Sequence, residues 1–143
     1  MSETKEERHA VIRKYFQFID DKDPRIMDLY TDDVELFFPK FGYGKGKKEM
    51  ELFSQRMSKM LNSLTHDIEN LIFIDSGQTV VVEGREWGLM SDDSPFPDGV
   101  VSQGRFCNVF RFRGSLICSV HIYTDPDFPS RDLERIMALR YGS

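Results

Sequence analysis

The pattern along the chain predicts an α+β fold in which helices gather mostly in the first half, antiparallel strands in the second, and the helices pack on one face of a curved sheet. Apolar residues recur at spacings of three and four in two early stretches and alternate with polar residues through the later ones. Clusters of Gly, Pro and Asp mark the boundaries between them.

From Lys5 to Asp20, the residues Val11, Ile12, Tyr15, Phe16 and Ile19 keep helical spacing behind an acidic start, which predicts an amphipathic helix. The run Asp20-Asp21-Lys22-Asp23-Pro24 breaks it, and Pro24 suits the first turn of a short second helix carrying Ile26, Met27, Leu29 and Tyr30. Val34-Glu35-Leu36-Phe37-Phe38 reads as a strand stopped by Pro39, and residues 41–46, punctuated by Gly42, Gly44 and Gly46, read as a loop. A third helix is expected over 47–64, with a soft, methionine-rich face built from Met50, Phe53, Met57, Met60, Leu61 and Leu64. Extended runs over 66–74 and 79–89 flank a turn at Asp75-Ser76-Gly77. Residues 90–101 form a long loop of the kind that acts as a lid over a pocket. A final helix is capped by Ser130 and runs to Tyr141.

Length and composition exclude several classes. One hundred and forty-three residues without a linker or internal repeat read as one domain, 1–143, large enough for a sizeable core. The net charge is −5, from 19 Lys+Arg against 24 Asp+Glu, with no basic run that could track a phosphate backbone, so nucleic acid is not an expected partner. No apolar stretch approaches the roughly eighteen residues needed to span a bilayer. The charged N-terminus has no signal-peptide core behind it, so a cytoplasmic protein is expected. Cys107 and Cys118 fall in predicted strands and are expected reduced and buried. The scattered His9, His66 and His121 make no zinc or iron motif, so no metal or cofactor is expected.

The most informative stretch is 105–123, two alternating strands folded about Arg113-Gly114-Ser115. By period two, Phe106, Asn108, Phe110 and Phe112 share one face. Asn108 interrupts an aromatic stripe, and such an amide is either a satisfied structural group or part of a ligand site.

The first helix with Val11-Ile12-Arg13-Lys14-Tyr15, the stretch Leu29-Tyr30-Thr31-Asp32-Asp33-Val34, the run Phe110-Arg111-Phe112-Arg113-Gly114 and the ending Tyr123-Thr124-Asp125-Pro126 resemble the SnoaL-like and ketosteroid-isomerase-like group of the nuclear transport factor 2-like superfamily. The resemblance spans nearly the whole chain. It implies a cone-shaped curved antiparallel sheet wrapped around N-terminal helices, a cystatin-like architecture hosting cyclases, isomerases, dehydratases, epoxide hydrolases and plain binders, so it does not fix the reaction. The steroid isomerases of this group use an Asp base with a Tyr and a protonated Asp that donate to an enolate oxygen. Tyr15 matches the family tyrosine, Asn108 stands where the oxyanion Asp belongs, and Phe38 stands where the base belongs. A phenyl ring takes no proton, so true steroid isomerisation is not implied.

Other groups compete for the missing role. If Asn108 faces inward, so do Val80 and Val82, and strand parity then carries Glu86 into the pocket as an acid or base between Gly84 and Gly88. The alternative leaves Glu86 at a solvated strand end or paired with an arginine. His66 is either a proton shuttle at the pocket rim or a partner for a backbone carbonyl. Asp125 is either a rim acid or a strand-ending turn residue. His121, with Ser119 and Tyr123, falls on the outer face alongside Val81, Trp87 and Val109, and that apolar face is expected to be covered by a homodimer contact.

The expected cavity is lined by Phe16, Phe38, Phe53, Met57, Phe106, Phe110 and Val120, with polar groups from Tyr15, Glu86, Asn108 and His66, and suits an apolar, carbonyl-bearing small molecule. Cofactor-free isomerase, cyclase or dehydratase chemistry follows from that arrangement, with a non-catalytic ligand-binding module or a protein-interaction domain as the alternatives.

Overall fold

The computed structural model describes residues 4–142. Helix α1 (Lys5–Asp20) starts on a reciprocal cap, in which Thr4 accepts from the Glu7 amide and the Glu7 carboxylate accepts from the Thr4 amide, each at 3.1 Å. Its face of Ile12, Tyr15 and Phe16 is buried. A six-residue 3-10 turn, Pro24–Leu29, returns the chain to β1 (Tyr30–Phe38). The glycine-punctuated segment is not a loop throughout, because β2 (Gly42–Lys45) pairs antiparallel with β1.

Helix α2 (Lys47–Met60) is shorter than its periodicity suggests. Leu61 and Leu64, at helical spacing from Met57, belong instead to β3 (Leu61–His66), which pairs with β5 (Thr79–Met90) from Leu61↔Met90 to His66↔Glu86. The apolar residues fit either element, and the ladder decides. The expected run over 66–74 is accordingly divided by a 3-10 turn, Ile68–Asn70, before β4 (Ile72–Ser76).

Strand β5 (Thr79–Met90) organises the rest. Its first half lies between β4 and β7 (Arg105–Arg113), and its second half between β3 and the two-residue β6 (Pro95–Phe96). A Cβ on Gly84 would sit 2.7 Å from the Phe106 ring, and one on Gly88 would collide with the Ser63 carbonyl oxygen, so the exchange of neighbours around Glu86 needs glycine on both sides. The sheet order is β2-β1-β8-β7-β5-β3, with β8 spanning Leu116–Thr124. All joints along it are antiparallel except β1 to β8, which is parallel, so the sheet is mixed. It curls into a half-barrel around the helices, as expected for an α+β cone.

The segment 90–101 is partly pinned. Met90 and Phe96 are buried in a cluster with Phe38, Leu61 and Phe128, and Asp98 accepts from the amides of Val100, Val101 and Ser102. The last helix, α3 (Leu133–Tyr141), begins two residues later than expected, with Asp132 rather than Ser130 at its N-cap.

Candidate functional site

Between α1, α2 and the concave face of the sheet lies a cavity of about 120 Å³. Tyr15 and Phe16 enter it from α1, Phe53 and Met57 from α2, Phe38 from the end of β1, and Phe106 and Asn108 from β7. His66 and Glu86, paired across β3 and β5, close its polar end with Thr124 of β8. Two fully buried expectations fail: Phe110 and Val120 do not line the cavity but lie in the core behind it. Phe110 meets Tyr15 edge-on at 5.0 Å, so it supports the wall without reaching the hollow.

The polar end is a connected chain. Asp20, the last residue of α1, accepts the His66 backbone N–H at 2.8 Å and contacts His66 Nδ1 at 2.5 Å. On the other side of the ring, His66 Nε2 lies 3.2 Å from Glu86 Oε2, and the Thr124 hydroxyl donates to Glu86 Oε1 at 3.1 Å. The side chains of Asp20, His66 and Glu86 are at most 10% exposed. Burial by itself pushes the His66 imidazole towards the neutral form. The hydrogen bonds and charges of Asp20 and Glu86 outweigh it and hold the ring's pKa above its ordinary 6.5.

The remaining polar groups stand opposite. Asn108 is 3% exposed and its Oδ1 has no hydrogen-bond partner in the protein. An amide turned about its last bond exchanges oxygen for nitrogen, so this position can offer a ligand an acceptor or a donor. The Tyr15 phenol is raised well above its ordinary range, first by burial and then by the charge of Glu86, which keeps it an O–H donor. Tyr30 also lines the cavity, and burial raises its phenol likewise. Among the described residues, no group of three His, Cys, Asp or Glu side chains converges where a metal could sit.

This geometry can be set beside known proteins. The sequence pattern of the SnoaL-like domain matches residues 12–120. The chain belongs to the SnoaL-like family. A comparison with curated proteins gave no match. Among solved structures, the chain is similar to a nuclear transport factor 2-like protein from Anabaena variabilis, at 24% identity and a TM-score of 0.68, covering 90% of this chain and 96% of that one. It is also similar to a candidate polyketide cyclase from Pseudomonas putida, at 14% identity and a TM-score of 0.68, covering 90% and 95% of the two chains. A third is TerC, co-crystallised with polyporic acid, at 17% identity and a TM-score of 0.66, covering 92% and 98%. At such identities these likenesses establish the shared fold.

In this SnoaL-like chain, the parity argument places Glu86 inward, and neither a solvated strand end nor an arginine partner describes it. His66 closes β3 rather than opening a strand, and its partners are carboxylates rather than a backbone carbonyl. Asp20 went unrecognised because in sequence it is one of several helix-breaking acids, 46 positions from its partner. Thr124 and Tyr30 carry no signal of their own either, since in sequence they are parts of a strand ending and of an apolar helical spacing. Asp125 accepts from the Asp127 amide at 2.9 Å, a turn contact, and lines a separate hollow of about 270 Å³ that shares Glu86 and Thr124 with the cavity. Cys107 and Cys118 are free but only half-buried. His121 contacts Glu35 at 2.8 Å on the outer side, beside Phe37 and Tyr43. Ser119 is buried there, where the ladder between β7 and β8 shifts register.

Proposed function

We propose that this protein binds a small, apolar, carbonyl-bearing molecule and moves a proton on it without a cofactor, as an isomerase, cyclase or dehydratase would. The carrying observation is the Asn108 side chain, whose Oδ1 has no partner, at an apolar cavity whose other end holds the Asp20-His66-Glu86 chain. In this reading Glu86 takes the proton from the carbon beside the carbonyl, and the electron pair moves onto the oxygen. Tyr15 and Asn108 donate to that oxygen as it becomes an enolate. His66 and Thr124 orient the two Glu86 oxygens, and Asp20 orients His66. Returning the proton to a different carbon completes an isomerisation, whereas attack of the enolate on a second carbonyl closes a ring. Similarity to a candidate polyketide cyclase supports the second course.

The test is deuterium uptake from heavy water at the carbon beside the carbonyl of cyclohexanone, a single ring matched to the cavity of about 120 Å³. Glu86→Gln should slow enzyme-dependent uptake by about 10²-fold, and Tyr15→Phe should slow it as well. Unchanged uptake in both variants would remove these roles.

Phe38, buried against Phe53 at 5.0 Å where the resemblance expects a base, favours a second reading: a binding module that releases its ligand unaltered. Native mass spectrometry of the purified protein before and after incubation with a co-purified ligand separates the two. The outer face supports a homodimer, because Tyr43 and Tyr123 are 69% and 48% exposed and both touch Phe37. Light scattering on a Tyr43→Asp, Tyr123→Asp variant would test it, with a shift to monomer expected. No helix among the described residues is long and apolar enough to cross a membrane, and the two unpaired thiols suit a one-domain cytoplasmic protein.

A further inference from the structure

The cavity has a larger neighbour. A hollow of about 340 Å³ opens between the end of α1, the turn Pro24–Leu29 and α2, and Ile19, Ile26, Met27, Ser54, Met57 and Leu64 line both spaces. The inner chamber, at about 120 Å³, is no larger than the apolar cavities of about 150 Å³ that accept benzene. A ligand whose oxygen reaches Asn108 therefore has room there for about one ring, and anything further must pass the shared wall. That wall is adaptable, since Met27 and Met57 are unbranched thioethers that re-pack around what they touch. Ser54, small and exposed on α2, leaves the neck open on its other side. Beyond the neck the lining turns mixed, with Lys22, Glu51, Gln55, Ser58 and Ser63 among the apolar groups.

We infer that the ligand is a two-part amphiphile: an oxygen-bearing ring held in the inner chamber, and an apolar chain of several carbons that threads the Met27 and Met57 neck and ends among the polar groups of the outer one. This assignment of substrate class rests on the proposed reading of the inner cavity. Met27, Met57 and Ser54 then become the residues that set chain-length specificity.

Calorimetric titration of 4-alkylphenols from methyl to octyl tests it, the phenol standing in for the enol. The affinity of the wild-type protein should rise by about fourfold for each methylene that leaves water, and level off when the outer chamber is full. Ser58→Trp places an indole in the outer chamber alone, from an exposed helical position, and should bring the ratio of octyl to methyl affinity towards one. Ser54→Trp, at the neck, gives a second and independent block. A wild-type series that is flat beyond methyl, or a ratio that neither tryptophan changes, overturns the two-chamber assignment while leaving the inner site standing. Failure of 4-methylphenol to bind at all overturns the reading of the inner cavity, and the amphiphile with it.

Discussion

His66 and His121 have the same chemistry and opposite surroundings. Each has a carboxylate within about 3.2 Å, but His66 is gripped on both ring nitrogens by buried acids beside a cavity. His121 meets one carboxylate, from Glu35, whose side chain is 45% exposed. The contrast shows that an imidazole-carboxylate pair does not by itself make a site. What distinguishes His66 is the removal of water from all three partners and the empty space next to them.

The largest difference between the two should appear in stability. Asp20→Leu strips a buried ring and a buried backbone N–H of their acceptor, and should cost about 3 kcal/mol in urea unfolding. Glu35→Leu breaks a pair with a partly exposed partner and should cost less than about 1 kcal/mol. Equal losses would erase the distinction.

Acidity sharpens the same comparison. Because the folded-state pKa of His66 lies above 6.5, its pairing stabilises the protein fully below about that pH, and the contribution fades as pH climbs through the raised value. The stability gap between wild type and His66→Asn should therefore be wider near pH 6 than near pH 9. A constant gap would mean that the ring carries no extra proton.

Smaller effects separate two buried sheet atoms that lack a hydrogen-bond partner, Asn108 Oδ1 on the inner face and Ser119 Oγ on the outer. Replacing an unsatisfied buried group by an apolar one of similar shape costs little, so Asn108→Leu should leave stability unchanged or raise it by about 1 kcal/mol. Deuterium uptake should nevertheless fall. Ser119→Ala should change neither stability by more than about 0.5 kcal/mol nor uptake. Loss of stability without loss of uptake at Asn108 would make it a structural amide.

Much of the fold was legible because period and punctuation agree with it. Lys5–Asp20, the turn at Pro24 and the alternation of Phe106, Asn108, Phe110 and Phe112 are all where their spacing puts them. Leu61 and Leu64 misled because their spacing also suits a helix, and only pairing with β5 reveals a strand. In the site, Glu86 followed from strand parity, a local rule. Asp20 did not, because a side chain at a helix end meets its partner through the closing of the cone, which no local pattern encodes. Phe110 and Val120 share a face with cavity residues but lie too deep to border the hollow, since parity gives direction and not depth.

The proton on His66 is the most direct quantity to measure. Titration of the ¹⁵N-labelled histidine side chains by NMR should give His66 a midpoint above 6.5 that falls towards it in Glu86→Gln. A wild-type midpoint at or below 6.5, unmoved by that substitution, would contradict a proton held between two buried carboxylates at the wall of the cavity.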